Sequence, residues 1–306
     1  MPHLFDLTQM FGRVQLTGST RLAFLHRMST GDLLKLQQGE GRTTVLTTTI
    51  GRMVDYTPVL ALDDAVILLT GGGNATHVVQ WLRKYVLYND DVKTHDISGA
   101  TQMLGIFGVG ADEWVRAVDP VAQAHLQHAP VYAHVQQGSQ ILVKAPPLQG
   151  AGYYLIGVGS LAKLATQITG RLRPIAEYEA LRITHGLPAF PGEISEDYIP
   201  LEAGLWDAVS FSKGCYIGQE IIARMESRNQ IAKKLVQLDM LDVNAPPVSD
   251  IADGVVVAVT SQSGNMALAY VRSAAANVGQ IVRLHTGQEG LARIIAVHDK
   301  IQNNHV

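Results

Sequence analysis

The chain has one cysteine in 306 residues. That excludes an intramolecular disulfide framework and any thiolate-only zinc or iron–sulfur cage built from this chain alone, and it matches a reducing compartment. Charge is also scarce. Only 17% of residues are Asp, Glu, Lys or Arg, against roughly 25% in an ordinary soluble domain. The 24 basic and 27 acidic side chains nearly cancel, leaving a net charge of −3. This argues against a protein built to coat nucleic acid or an anionic membrane. No apolar run approaches the ~20 residues of a membrane span. Met1–Asp6 lacks the basic start and long apolar stretch of a signal peptide, so the expected location is cytoplasmic. HExxH is missing and no His/Cys cluster occurs, so no metal site is expected. Gly71-Gly72-Gly73 is not followed by the Lys-Ser/Thr of a P-loop, and Gly108-Val109-Gly110 lacks the third glycine of a dinucleotide fingerprint.

Hydrophobic residues, in contrast, make up 47% of the chain, enough for the cores of about two domains. Apolar spacing predicts helices over Leu22–Met28, at Leu33–Leu36, from Asn74 as cap through Val78, Trp81, Leu82, Tyr85 and Val86, over Ala111–Val118, after Ser160, and after Pro174. Strands are predicted at Val45–Ile50, Met53–Leu62, Ala65–Thr70, Val92–Ile97, Gln102–Phe107, Gln140–Lys144 and Tyr153–Val158. After Lys233-Lys234 the helical period disappears. Short strands at Leu235–Met240, Val255–Thr260, Met266–Val271, Ile281–Leu284 and Ala292–Val297 favour a small barrel or sandwich. The expected division is an α+β region over 1–230 and a β domain over 231–306, with a frayed polar tail.

The lone cysteine sits in Lys213-Gly214-Cys215-Tyr216-Ile217-Gly218-Gln219-Glu220. The two glycines permit a tight turn or close backbone approach. Ile221, Ile222 and Met225 then form one helix face, which places Cys215 just before a helix N-terminus. That dipole and Lys213 would favour the thiolate. Against this stands the ordinary reading of a lone cysteine as a small buried hydrophobe. Arg171, Arg173, Arg224, Arg228, Lys233 and Lys234 give basic character nearby, best read as a solvated rim. His125 and His128 read as a surface pair.

This octapeptide resembles, without a substitution, the signature of YgfZ-type folate-binding proteins, relatives of the aminomethyltransferase of the glycine cleavage system. Phe24-Leu25-His26-Arg27-Met28-Ser29-Thr30-Gly31-Asp32, Gly51-Arg52-Met53-Val54-Asp55, Leu181-Arg182-Ile183, Ile199-Pro200-Leu201-Glu202-Ala203-Gly204 and Ala267–Arg272 extend the resemblance over most of the chain. It implies two related α+β lobes, the second over roughly 51–145, and a small C-terminal β-barrel, arranged as a ring around tetrahydrofolate. It places Asp55 beside the reactive folate nitrogen, where a carboxylate can orient or deprotonate an amine or hold positive charge. Arg182, Glu202 and Tyr216 are the further folate-binding candidates. The transferases carry a Glu after their LRL motif, whereas Thr184 stands here, followed by His185. This implies weaker folate binding, a different pose, or use of Glu202 instead. The transferases also lack the KGCYIGQE cysteine. Both departures favour a folate-binding accessory protein of iron–sulfur cluster assembly or repair, with Cys215 acting on client or assembly proteins. The alternative is a tetrahydrofolate-dependent aminomethyltransferase or demethylase in one-carbon metabolism, with Asp55 catalytic. Nucleic acid is not an expected partner.

Overall fold

A computed structural model describes residues 1–160, 171–228, 230–241, 251–284 and 290–300. The helix expected after Ser160 and the tail lie outside the described residues. Two compact units emerge, Met1–Leu46 with Asp55–Tyr178 and Lys213–Tyr216, and Thr47–Val54 with Glu179–Ser212 and Ile217–Val306.

One five-stranded sheet runs β3-β4-β5-β2-β6, from Gly41–Thr47 (β3), Met53–Ala61 (β4), Ala65–Gly71 (β5), Phe11–Thr17 (β2) and Lys93–Asp96 (β6). β5 reads AVILLTG and is buried along all but its last residue, as expected of a central strand covered on both faces. Helix α1, Arg21–Met28, packs Phe24, Leu25 and Met28 inward, and α2, Ala75–Arg83, packs Val78, Val79, Trp81 and Leu82. A second five-stranded sheet runs β1-β7-β10-β9-β8, from His3–Asp6, Gln102–Phe107, Gly152–Gly157, Gln140–Lys144 and His134–Gln137. Helices α3, Ala111–Val118, and α4, Pro120–Leu126, close over it on Leu104, Ile106, Leu142, Tyr153 and Leu155. The chain thus passes from the first sheet to the second after Asp96, not at residue 51 as expected, because β4, β5 and β2 pair within one sheet.

The other unit holds a six-stranded sheet in the order β12-β15-β16-β11-β14-β13, from Ile251–Ala252 (β12), Ile281–Leu284 (β15), Gly290–Val297 (β16), Lys233–Met240 (β11), Met266–Arg272 (β14) and Val256–Ser263 (β13). Val236, Leu238, Ala267, Ala269, Val271, Val282, Ala292 and Ile294 form its core, alternating along the strands. Helix α5, Ile175–Thr184, follows Pro174, and α6, Gln219–Arg228, ends shortly before β11.

Two expectations fail for identifiable reasons. Leu33–Leu36 forms turns instead of a helix. Its preceding residues are pinned to β3, with Gly31 N donating to Thr44 Oγ1 at 2.7 Å and the strand amide of Val45 donating to Thr30 Oγ1 at 3.0 Å. The strand expected at Val45–Ile50 ends at Thr47. There the chain turns back, with Gly51 N donating to Thr48 O at 2.9 Å and Gly51 at φ 75°.

Candidate functional site

Asp55 lies on β4 and is 1% exposed. A carboxylate so removed from water needs donors. Gly71 N, at the end of β5, donates to Asp55 Oδ2 at 3.0 Å, and Asn74 Nδ2 donates to the same oxygen at 2.9 Å. The Tyr56 amide adds a third hydrogen bond. Burial outweighs these donors and pushes the Asp55 carboxyl up to about 7. An acid that titrates near neutrality can both accept and deliver a proton at physiological pH.

Asn74 was expected to cap α2. It stands at the N-cap position, but its side chain makes no capping bond and reaches Asp55 instead. The turn Gly71-Gly72-Gly73 makes this reach possible, since a Cβ on Gly72 would meet the carbonyls of Gln9 and Met10.

A group of phenols occupies the same unit. Tyr132 hydrogen-bonds with Tyr56, and Tyr154 with Tyr178. Burial pushes the hydroxyls of Tyr132 and Tyr154 well above the ordinary tyrosine range. Tyr132 is held at φ 71°, a costly backbone conformation for an aromatic residue.

The signature octapeptide is tied down at both ends. The Lys213 ammonium donates to His26 O, to Ser29 O at 2.6 Å and to Gly31 O at 2.7 Å. Its three protons thus satisfy carbonyls at the C-terminal end of α1. Burial lowers Lys213 to about 8, opposed by Asp32. Lys213 also lies 5.1 Å from the centre of the Tyr216 ring, which is buried. Lys213 thus anchors the loop to these carbonyls. Further along, Thr47 Oγ1 donates to Ile217 O at 2.6 Å. Gly218 has φ 82°, and a Cβ there would lie 2.6 Å from Thr48 O, so only glycine fits. Cys215 is exposed, and Gly214 faces open space. Gln219 and Glu220 open α6.

Arg182 is not free to bind a ligand. Nε donates to Glu179 at 2.8 Å, Nη1 to Leu187 O and Glu193 at 3.2 Å each, and Nη2 to Ser261 at 2.9 Å and Glu179 at 2.7 Å. These five contacts use all five donors of a guanidinium. Glu193, fully buried, also takes Ala189 N at 2.9 Å and the Ser261 hydroxyl at 2.6 Å. Glu202 is 5% exposed, and burial raises its carboxyl. Its Oε2 accepts from Ile199 N at 3.1 Å and lies 3.7 Å from Arg52. Asp55 falls in one compact unit, and Arg182 and Glu202 fall in the other. Among the described residues no group of three His, Cys, Asp or Glu is placed to hold a metal ion, and no helix is long and apolar enough to cross a membrane.

The comparison that bears on this geometry covers its first part. Residues 3–144 match the GCVT N-terminal domain. Asp55, Gly71 and Asn74 lie inside the GCVT match, while Arg182, Glu202 and the octapeptide lie beyond it. The chain is 28% identical over 296 residues to a protein of Arabidopsis thaliana named as a chloroplastic transferase, covering 92% of this chain and 68% of that one. It is 26% identical over 314 residues to an aminomethyltransferase of Desulforamulus reducens, covering 95% and 85%. The crystal structure of the glycine cleavage system aminomethyltransferase T from Bartonella henselae superimposes with a TM-score of 0.80 at 18% identity, covering 96% of this chain and 85% of that one. The fold is therefore aminomethyltransferase-like.

Proposed function

We propose that this chain binds tetrahydrofolate, with Asp55 as the carboxyl that meets a nitrogen of the ligand. The observation that carries the reading is Asp55 itself, a buried acid on a GCVT-type strand, raised to about 7 by loss of water. Such a group suits an amine: charged, it accepts an N–H hydrogen bond, and protonated, it donates one. The other candidates fit folate unevenly. Arg182 is committed to Glu179, Glu193 and Ser261. Glu202 accepts from the backbone of both Ile199 and Lys233. Tyr216 is buried beside Lys213. Asp55 is thus the residue on which the proposal rests.

Tetrahydrofolate, when bound, supplies the nitrogens that carry a one-carbon unit. Asp55 would hold or take the proton on the amine it faces, and Gly71 and Asn74 would keep its carboxylate in place. The expected ring of two lobes and a C-terminal barrel, with the barrel over 231–306, belongs to the same proposal. Calorimetric titration of the whole chain with (6S)-tetrahydrofolate tests it. Binding to the wild type, weakened tenfold or more in Asp55→Asn (about 1.4 kcal/mol), supports the reading. No binding by the wild type, or equal binding by both, refutes it. Appearance of 5,10-methylene-tetrahydrofolate with an N-methylated or aminomethyl donor would assign transfer chemistry as well.

A second reading is favoured by the exposed Cys215 in its anchored loop. In that reading the chain is a folate-binding accessory protein that engages iron–sulfur client or assembly proteins through the thiol. Cells lacking the protein, supplied with Cys215→Ala and assayed for an iron–sulfur enzyme, decide it. Loss of rescue supports a working thiol, and full rescue removes the need for one.

A further inference from the structure

Asp55 is linked to the surface by two side chains of α2's first turn. Asn74 Nδ2 lies 2.9 Å from Asp55 Oδ2, and Asn74 Oδ1 lies 3.1 Å from His77 Nδ1. Asn74 is 4% exposed, whereas the His77 imidazole is exposed to solvent. Residues three apart on a helix share a face, which lets the amide bridge the two. The direction of each hydrogen bond follows from chemistry. An ionised carboxylate only accepts, so Asn74 turns its NH2 toward Asp55. Its oxygen is then left facing His77, and that oxygen also only accepts. His77 must therefore carry its hydrogen on Nδ1.

We propose that His77 is a positioning residue, whose Nδ1–H holds the Asn74 amide in the orientation that serves the Asp55 carboxylate. The tautomer of a surface imidazole is thereby tied to the charge of the buried acid. When Asp55 takes a proton from solvent, its hydroxyl can donate to Asn74 Oδ1 once the amide flips. The amide NH2 then donates to Nδ1, and the imidazole keeps its hydrogen on Nε2, exchanged through water. This deepens the folate reading and rests on Asp55 being its working carboxyl.

Other charged and titratable groups stand on the neighbouring elements. Arg13 on β2 donates to the carbonyls of Thr8 and Thr101 at 2.7 Å. Arg83, at the far end of α2, donates to Thr94 O at 2.8 Å. Asp96 on β6 accepts from Thr76 Oγ1 and Ser98 N at 2.9 Å, and Lys93 and His95 stand on the same strand, β6, as Asp96.

The test needs no folate. In the whole chain labelled with 15N-histidine at pH 8.5, the His77 ring should report Nδ1–H in the wild type and lose that preference in Asn74→Ala and in Asp55→Ala. In 13C-aspartate-labelled protein, the Asp55 midpoint should rise by about one pH unit in Asn74→Ala, the loss of one hydrogen bond to a charged group. It should rise by a smaller step in His77→Ala and return in His77→Gln, which can still donate to Asn74. In the absence of Asn74, removing His77 should add nothing. A wild-type His77 in the Nε2–H tautomer, or an Asp55 midpoint unmoved by His77→Ala, overturns the proposal. Because His77 is exposed, its variants stay folded and keep the test decisive. A coupling found together with folate binding that ignores Asp55 would leave the positioning role standing and remove the folate reading.

Discussion

A buried carboxyl that titrates near neutrality makes the folded state lose stability as pH rises. Asp55 moves from 3.8 in the unfolded chain to about 7 in the fold. Between those values the folded chain holds a proton that the unfolded chain has released. The unfolding free energy therefore falls as pH climbs through this window and levels off above about 7. Roughly three pH units at about 1.4 kcal/mol each give a span on the order of 4 kcal/mol. Asp55→Asn keeps the shape and an oxygen for Gly71 N, and it cannot ionise. Urea unfolding of both proteins at pH 5, 6, 7 and 8 measures the effect. Histidines lowered by burial, such as His134 and His298, act in the opposite sense near pH 6, but they are common to both proteins and cancel in the difference. Asp90 and Asp96, held below the usual carboxylate range, act only at more acid pH. The series covers about two of those three units, so the difference, variant minus wild type, should grow by about 2.7 kcal/mol between pH 5 and 8. A flat difference would show that Asp55 does not titrate differently in the folded and unfolded chain between pH 5 and 8 and would refute the reasoning.

Gly218→Ala should destabilise the chain by about 1–3 kcal/mol, because φ 82° and the 2.6 Å approach to Thr48 O leave no room for a methyl; the urea midpoint reads it. Lys213→Met removes three donors from carbonyls at the end of α1. It should destabilise by about 2–4 kcal/mol and alter the rate at which iodoacetamide alkylates Cys215. Arg182→Met strands Glu193 and Glu179 and should cost about 3–5 kcal/mol, while the tetrahydrofolate affinity of the folded fraction stays unchanged; a lost affinity at unchanged stability would restore Arg182 as a ligand. Cys215→Ser should leave stability within about 0.5 kcal/mol of wild type, since the thiol is exposed.

Much of the fold was legible where one physical signal dominated. The 3.6-residue spacing of Val78, Trp81 and Leu82 marked α2, and the texture change at Lys233 marked the start of the six-stranded sheet. β2 escaped because Arg13 sits fully buried in mid-strand, its charge met by the carbonyls of Thr8, Phe11, Ser98 and Thr101. Pattern reading places such a residue outside. α4 escaped although Asp119-Pro120 announces it, with Asp119 Oδ1 accepting from Ala122 N at 2.9 Å. At the site, Asp55 was singled out by resemblance, and only the folded chain shows that it is buried and pushed up to about 7. Asn74 was noticed for the wrong task. Nothing in a sequence tells an amide that caps its own helix from one that reaches a strand 19 residues earlier. Tyr132 and His77 gave no signal at all, since a backbone angle and a tautomer exist only in the folded chain.

The most direct measurement is the Asp55 carboxyl titration, followed by 13C chemical shift, with and without saturating (6S)-tetrahydrofolate. A ligand nitrogen donating to Asp55 stabilises the charged form, so its midpoint should fall from about 7 when the ligand is present. A midpoint that stays in place while the ligand is bound would put folate elsewhere and contradict the account.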